Sequence, residues 1–143
     1  MKKILSIILA TAFLIPVLSF GDDLANMDIK TAMDSMPAKV KTKLDNFKYV
    51  FGKNTLPVMS VKASDVRVVG RTNAVFKNNL ESCNLAFYNA LIKLKSEADA
   101  GGATGVANIQ SNWKDDTTSS NTTFICATGL LMSGVAFTGT AFK

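Results

Sequence analysis

The stretch Asn78–Gly102, NNLESCNLAFYNALIKLKSEADAGG, decides the fold. Cys83, Phe87, Ala90, Leu91, Leu94 and Ala98 recur at spacings of three and four, which lays one apolar stripe along an α-helix. Asn78 stands three residues before Glu81, so its side chain can accept from a free N–H of the first turn, a capping box with Asn in place of Ser or Thr. Gly101 and Gly102 end the helix, because a left-handed closing residue is cheap only for glycine. The same GGATG run superficially resembles a phosphate loop, but such loops precede a helix and this one follows it. A helix with a single apolar stripe must bury it against another layer, and the flanking sequence supplies strands.

Upstream, FKYVF (47–51) alternates, placing Phe47, Tyr49 and Phe51 on one face and Lys48 and Val50 on the other. That is the period of a half-buried strand whose aromatics belong to the core. Gly52–Pro57 reads as a turn. PVMSVK (57–62) and DVRVVG (65–70) read as two strands, separated by Ala63–Asp65 and ended by Gly70. Downstream, Val106–Trp113 reads as a strand, with Trp113 at a half-buried rim, and the polar run Lys114–Thr123 as a flexible connection. The last twenty residues, rich in Phe, Ile, Val and Thr with glycines at 129, 134 and 139, suit strands with bends, and Ser133–Gly134 marks a bulge. The expected fold class is α+β, a small mixed or antiparallel sheet covered on one face by one long helix.

The amino-terminal end reads differently. Lys2 and Lys3, an apolar run from Ile4 to Leu18 broken by Pro16, and the small residues Ser19 and Gly21 have the three parts of a secretory signal. The run is short of the roughly 20 residues that span a bilayer, so residues 1–21 are expected to be cleaved rather than kept as a permanent membrane anchor. Residues 22–46 are expected to form a helical amino-terminal segment, with Asp28 capping one helix and Pro37 beginning another, and residues 47–143 the α+β domain.

Charge and chemistry narrow the function. Removing Lys2 and Lys3 from the 16 basic residues leaves 14 against 11 acidic ones, so the net charge falls from +5 to +3. This is too mild a balance to imply nucleic acid. Lys39, Lys41, Lys43, Lys48 and Lys53 form the densest basic region, read as a solvated face with attraction to an anionic surface as the sharper alternative. The chain has no histidine, hence no imidazole base, ligand or pH switch. Asp115 and Asp116 are adjacent but sit in a Ser/Thr-rich loop that favours solvent over a hard cation. No catalytic residue, metal site or cofactor is assigned. In an oxidising compartment the two cysteines, Cys83 and Cys126, are expected to pair, and without a C-x-x-C spacing the bond is structural rather than redox-active.

ESCNLAFYNALIKLKSEADAGGATGVANIQSNW (81–113), FICATGLLMSGVAFTGTAFK (124–143) and FKYVFGKNTLPVMSVK (47–62) together resemble a group of small exported bacterial proteins that carry the label of excinuclease ATPase subunits. An ATPase of that kind needs a phosphate loop ending Gly-Lys-Ser or Gly-Lys-Thr and zinc cysteines, and neither is in this sequence. More distantly, the helix, Gly102–Ile109 and Gly134–Ala141 are similar to the YbjQ-like family described as heavy-metal-binding and to the Rcs outer-membrane stress-sensor lipoprotein. The metal role transfers poorly to a chain with no histidine and paired cysteines. The sensor likeness implies a compact exported domain with a cysteine at Cys126, although this chain lacks the lipid anchor and the second disulfide. The expectation is therefore a non-catalytic periplasmic interaction or envelope-associated domain, with an envelope protein as partner. A ligand or metal carrier, of open oligomeric state, and a histidine-free enzyme are the alternatives.

Overall fold

The computed structural model describes residues 22–53 and 60–143. The expected signal segment and most of the Gly52–Pro57 turn lie outside them. In chain order the elements are β1 (Asp23–Asp28), α1 (Ile29–Asp34), α2 (Ala38–Leu44), β2 (Lys48–Phe51), β3 (Val61–Asn73), α3 (Asn79–Ala100), β4 (Gly105–Trp113), β5 (Asp116–Thr118), β6 (Thr123–Thr128) and β7 (Met132–Phe142). The fold is α+β: a seven-stranded, mostly antiparallel open sheet with the 22-residue α3 packed against it.

The helix forms as its pattern requires. Asn78 Oδ1 accepts from the Glu81 N–H at 2.8 Å. At the other end Ala103 N–H reaches Ala98 O and Gly102 N–H reaches Asp99 O, both at 3.0 Å, with Gly102 at φ +73°. These two bonds make a Schellman closure, and Ala98 and Ala103 supply its apolar contact. All six residues of the apolar stripe are buried, joined by Ser82, Ala86 and Tyr88.

The long β7 holds the sheet together. It pairs with β3 along one edge, and on the other edge with β4 through Phe142 to Phe137 and with β6 through Gly134 and Ser133. Outside these, β2 lies parallel to β4 and β1 antiparallel to β6. Phe87 of α3 is the centre of the core: it stacks on Phe124 at 4.5 Å and meets Phe51 at 6.0 Å and Phe137 at 5.8 Å. Cys83 and Cys126 are bonded, with Cα atoms 5.8 Å apart, and tie α3 to β6. The small helices gather on the same side: Tyr88 Oη donates to Ala32 O at 2.7 Å, and Ile29, Ala32, Met36 and Leu44 enter the same core.

Five local expectations are corrected. Residues 22–46 are not wholly helical, because Asp23–Asp28 is a strand in full register with β6; Asp-Leu-Ala-Asn-Met-Asp has little intrinsic strand preference, and pairing decides it. Asp28 caps α1 and α2 starts after Pro37, as expected. Of the two strands read before α3, residues 57–59 of the first lie outside the described residues, and its Val61–Lys62 run on into the second as one strand, β3, whose register slips between Val61 and Val66 rather than breaking. Gly70 does not end it. It lies where α3 comes closest to the sheet, so that a Cβ there would stand 2.2 Å from Ala86 O and 2.3 Å from Ala90 N. The polar run after Trp113 is not merely a flexible connection: it turns at Lys114–Asp115 and returns as β5. Finally, Ser133–Gly134 pairs regularly with β3, and the irregularity falls in β4 between Ala107 and Gln110, where Asn108 has φ +51°.

Two predictions follow from this packing. Gly70→Ala drives a methyl group into the α3 backbone, which cannot yield as a side chain would, so a loss of about 3 kcal/mol or failure to fold is expected in urea titration. Replacing Cys83 and Cys126 together by Ser opens a loop of sequence separation 43. The chain-entropy relation gives a stability loss of about 4 kcal/mol, to be read from denaturation midpoints of the oxidised protein and the variant.

Candidate functional site

With every helix named above on one side, the other face of the sheet carries the larger cavities. The principal one is a groove of about 620 Å³ across the ends of β3, β7 and β4. Strand alternation builds its floor: Arg67, Val69 and Arg71 of β3 lie opposite Thr138, Ala136 and Gly134 of β7. Asn112 and Trp113 of β4, the Lys114–Asp115 turn, Met132 and Asp22 complete the wall.

Trp113 sits here because Gly134 has no side chain. A Cβ on Gly134 would be 2.5 Å from Trp113 Cη2 and 2.7 Å from Cζ3, so the indole rests directly on the strand backbone. Its Nε1 is buried without a hydrogen-bond acceptor among the described residues. The turn beyond it is tight. Trp113 pairs with Asp116, and the two residues between, Lys114 and Asp115, have φ of +50° and +64°. Asn and Gly are the usual occupants of such a hairpin turn, and other residues are held there at a cost of roughly 1–2 kcal/mol each. This strained turn carries both charged side chains to the groove.

There the charges pair unequally. Arg67 Nε bonds both oxygens of Asp65, at 3.1 and 3.0 Å, and its Nη1 bonds Asp115 Oδ1 at 3.0 Å. Thr138 Oγ1 donates to Asp65 Oδ1 at 3.0 Å. Lys114 Nζ stands 3.4 Å from Asp22 Oδ2. Arg71 has no ion-pair partner among the described residues; only its main-chain oxygen is engaged, by Asn89 Nδ2 at 2.9 Å. The groove therefore offers one uncommitted guanidinium, a planar donor suited to a carboxylate or phosphate, beside a half-buried indole. Chemically it can hold an anionic group that carries apolar or aromatic surface.

The other residues singled out in the sequence lie elsewhere. Cys83 and Cys126 are buried on the opposite, helix-covered face and do not line this groove. Asp115 is taken by Arg67, Asp116 is exposed in β5, and no three His, Cys, Asp or Glu side chains come together among the described residues. Lys39, Lys41, Lys43, Lys48 and Lys53 are all exposed. Lys41 and Lys43 occupy the last turn of α2, where positive charge favours the helix terminus. Beside that helix a smaller cavity of about 300 Å³ is lined by Met33, Met36, Leu44, Phe47 and Tyr49. Burial, and then the Asp99 carboxylate, push the Tyr49 phenol above its ordinary range, and its oxygen lacks a partner among the described residues. Trp113 is at a half-buried rim, and the rim is the wall of the groove. Neither Arg67 nor Arg71 stood out in the sequence, because the alternation in DVRVVGR marks a strand but not what faces it.

Comparison of the chain with models of protein families, with curated proteins and with solved structures returns no match. The class stated by fold and geometry is an α+β domain with one sheet face closed by a disulfide-tied helix and the other carrying a groove.

The ion-pair cluster gives a pH prediction. Hydrogen bonds from Arg67, and next from Thr138, hold the Asp65 carboxyl below the usual value of about 3.9. Its folded pKa is thus depressed, so its contribution to the folded state is present above the unfolded pKa and is lost as pH falls through the folded one. In a carboxyl NMR titration Asp65 should titrate below the ordinary aspartate value, and Arg67→Ala should return it toward that value. An unchanged Asp65 in that variant would show that the contact is not held in solution.

Proposed function

We propose that the protein is a non-catalytic binding domain of the exported, periplasmic compartment, and that the groove over Gly134 is where it holds a partner through an acidic, apolar-flanked segment. The single observation behind this reading is that an uncommitted Arg71 and Trp113 line the same groove. Trp and Arg are the residue types that most often carry binding energy at interfaces, and here both stand on strands rather than on loops. Export is supported by the signal-like residues 1–21 and by the disulfide, since such bonds persist in oxidising compartments. No helix among the described residues is long and apolar enough to cross a membrane.

Size favours a second reading. A groove of about 620 Å³ falls in the range that holds small ligands, so a carrier for a small organic anion fits the same residues. One experiment separates the two. A photo-activatable residue at Val69 or Asn112 in living cells should give an adduct of defined mass, a protein for the first reading and a small molecule for the second. The same residue at Ser96, on the exposed side of α3, should give none, and Arg71→Ala should reduce the groove adduct by about tenfold, the value of one charge-assisted bond pair. Groove positions that label no better than Ser96 would end both readings.

A further inference from the structure

Strand β3 is an edge of the sheet: it pairs with β7 on one side, and on the other it meets no strand among the described residues. It is 13 residues long and carries Val66, Val68 and Val69 in its middle, a composition that pairs readily. An edge of this kind invites the strand of another molecule. In an antiparallel pair, alternate residues turn their N–H and C=O groups toward the partner and the rest turn theirs away. On β3 the carbonyls of Val69 and Arg71 are bonded from α3 rather than from β7, so the odd-numbered residues from Arg67 to Asn73 present the free side.

Two side chains of the helix occupy that side. Lys93 Nζ donates to Val69 O at 2.6 Å, and Asn89 Nδ2 donates to Arg71 O at 2.9 Å. Their reach follows from Gly70, which lets the backbone of Ala86 and Ala90 rest on β3. Asn89 and Lys93 stand one helical turn apart, about 5.4 Å, and carbonyls on one side of a strand recur at about 6.8 Å, so the two rows match. Both side chains are exposed and close no part of the core. What they cover is two main-chain acceptors that an added strand would use.

The strand whose charges fit this edge is a second β3. In an antiparallel pair about a two-fold axis at Val68, Arg67 faces Val69 of the second copy and Asp65 faces its Arg71. These four side chains share the groove side of the sheet, where Thr138 Oγ1 donates to Asp65 Oδ1 at 3.0 Å. Moving the axis by one residue fails on charge. Centred on Arg67, the two Arg67 guanidinium groups oppose each other; centred on Val69, Arg67 opposes Arg71. The register at Val68 alone sets opposite charges together, twice, and it supplies a carboxylate to the Arg71 guanidinium, which has no ion-pair partner among the described residues. It also requires the Arg67 N–H of each copy to reach Val69 O of the other, where Lys93 lies, while Asn89 stands at the Arg71 end.

We infer that the free edge of β3 is a self-pairing surface of this protein and that Lys93 and Asn89 hold it shut, so that a second copy joins it, with Asp65 opposite Arg71, only when those two side chains are withdrawn. Each covers an acceptor, and the Lys93 ammonium group also opposes any N–H that approaches. What the groove binds does not enter, so Val69 and Asn112 can fail to crosslink while the edge behaves as stated.

Sedimentation velocity of the disulfide-bonded protein over a concentration series, with amide hydrogen exchange at Arg67 and Val69, tests this. Lys93→Ala with Asn89→Ala should raise the self-association constant by about tenfold or more over the native protein and slow exchange at both amides. Ser96→Ala with Glu97→Ala, at exposed positions of the same helix, should change neither. In the opened protein Arg71→Glu should return the monomer, and Asp65→Lys added to it should restore the dimer by exchanging the charges across the axis. Trp113 emission and the urea midpoint report that each variant is folded. If the double variant does not fold, Lys93→Ala alone decides by the same two readouts. A folded, opened variant that associates no more than the native protein would overturn the inference. So would a dimer indifferent to Arg71→Glu, or a native protein whose Arg67 and Val69 amides a second copy already protects.

Discussion

The contact of α3 with the sheet is the constraint on which the rest of the structure depends. At Gly70 the helix backbone comes so close to β3 that no side chain fits between, and on the β6 side Cys83 is bonded to Cys126. The helix is thus held at two strands that are not neighbours, and Phe87 fills the space between them against Phe124 and Phe137. Burial of the aromatic centre and of the paired Ser82 and Ser133 hydroxyls, 2.8 Å apart, follows from that fixed distance. A buried hydroxyl pair is satisfied only when both strands and helix keep their places.

Fixing α3 on one face leaves the character of the other to the residues of alternate parity. On β3 the even positions Val66, Val68 and Gly70 meet the helix, while the odd positions Arg67, Val69 and Arg71 point into the groove. The same logic separates Phe137 from Ala136 on β7. A shift of one residue in the β3–β7 register would bury the arginines and expose the valines, so the core and the groove specify each other. Trp113 adds a second lock, because its ring occupies the space that Gly134 leaves and so relates the end of β4 to β7.

The molecule also has a direction. The amino-terminal end of α3, the β3–α3 turn, the β6–β7 turn and the entry of the chain at Asp22 all lie together, while the Gly101–Gly102 closure and the lysines of α2 lie toward the far end of the helix. Met132 joins the groove wall to the β6–β7 turn.

Much of this architecture was legible from residues alone. The spacing from Cys83 to Ala98, the cap at Asn78 and the glycines at 101 and 102 determined α3, its buried stripe and its ends, because helix periodicity and capping are local. Alternation in FKYVF and DVRVVG marked strands for the same reason, and two cysteines behind a stretch with the pattern of a secretion signal marked the bond. The sequence could not decide what lies across from a strand. That β1 is a strand at all, that Gly70 is a seat for the helix rather than a terminus, that Gly134 makes room for Trp113, and that Arg71 stands unpaired while Arg67 does not, are all set by chains distant in sequence. Each depends on register and close approach between elements, and these exist only when the sheet has formed.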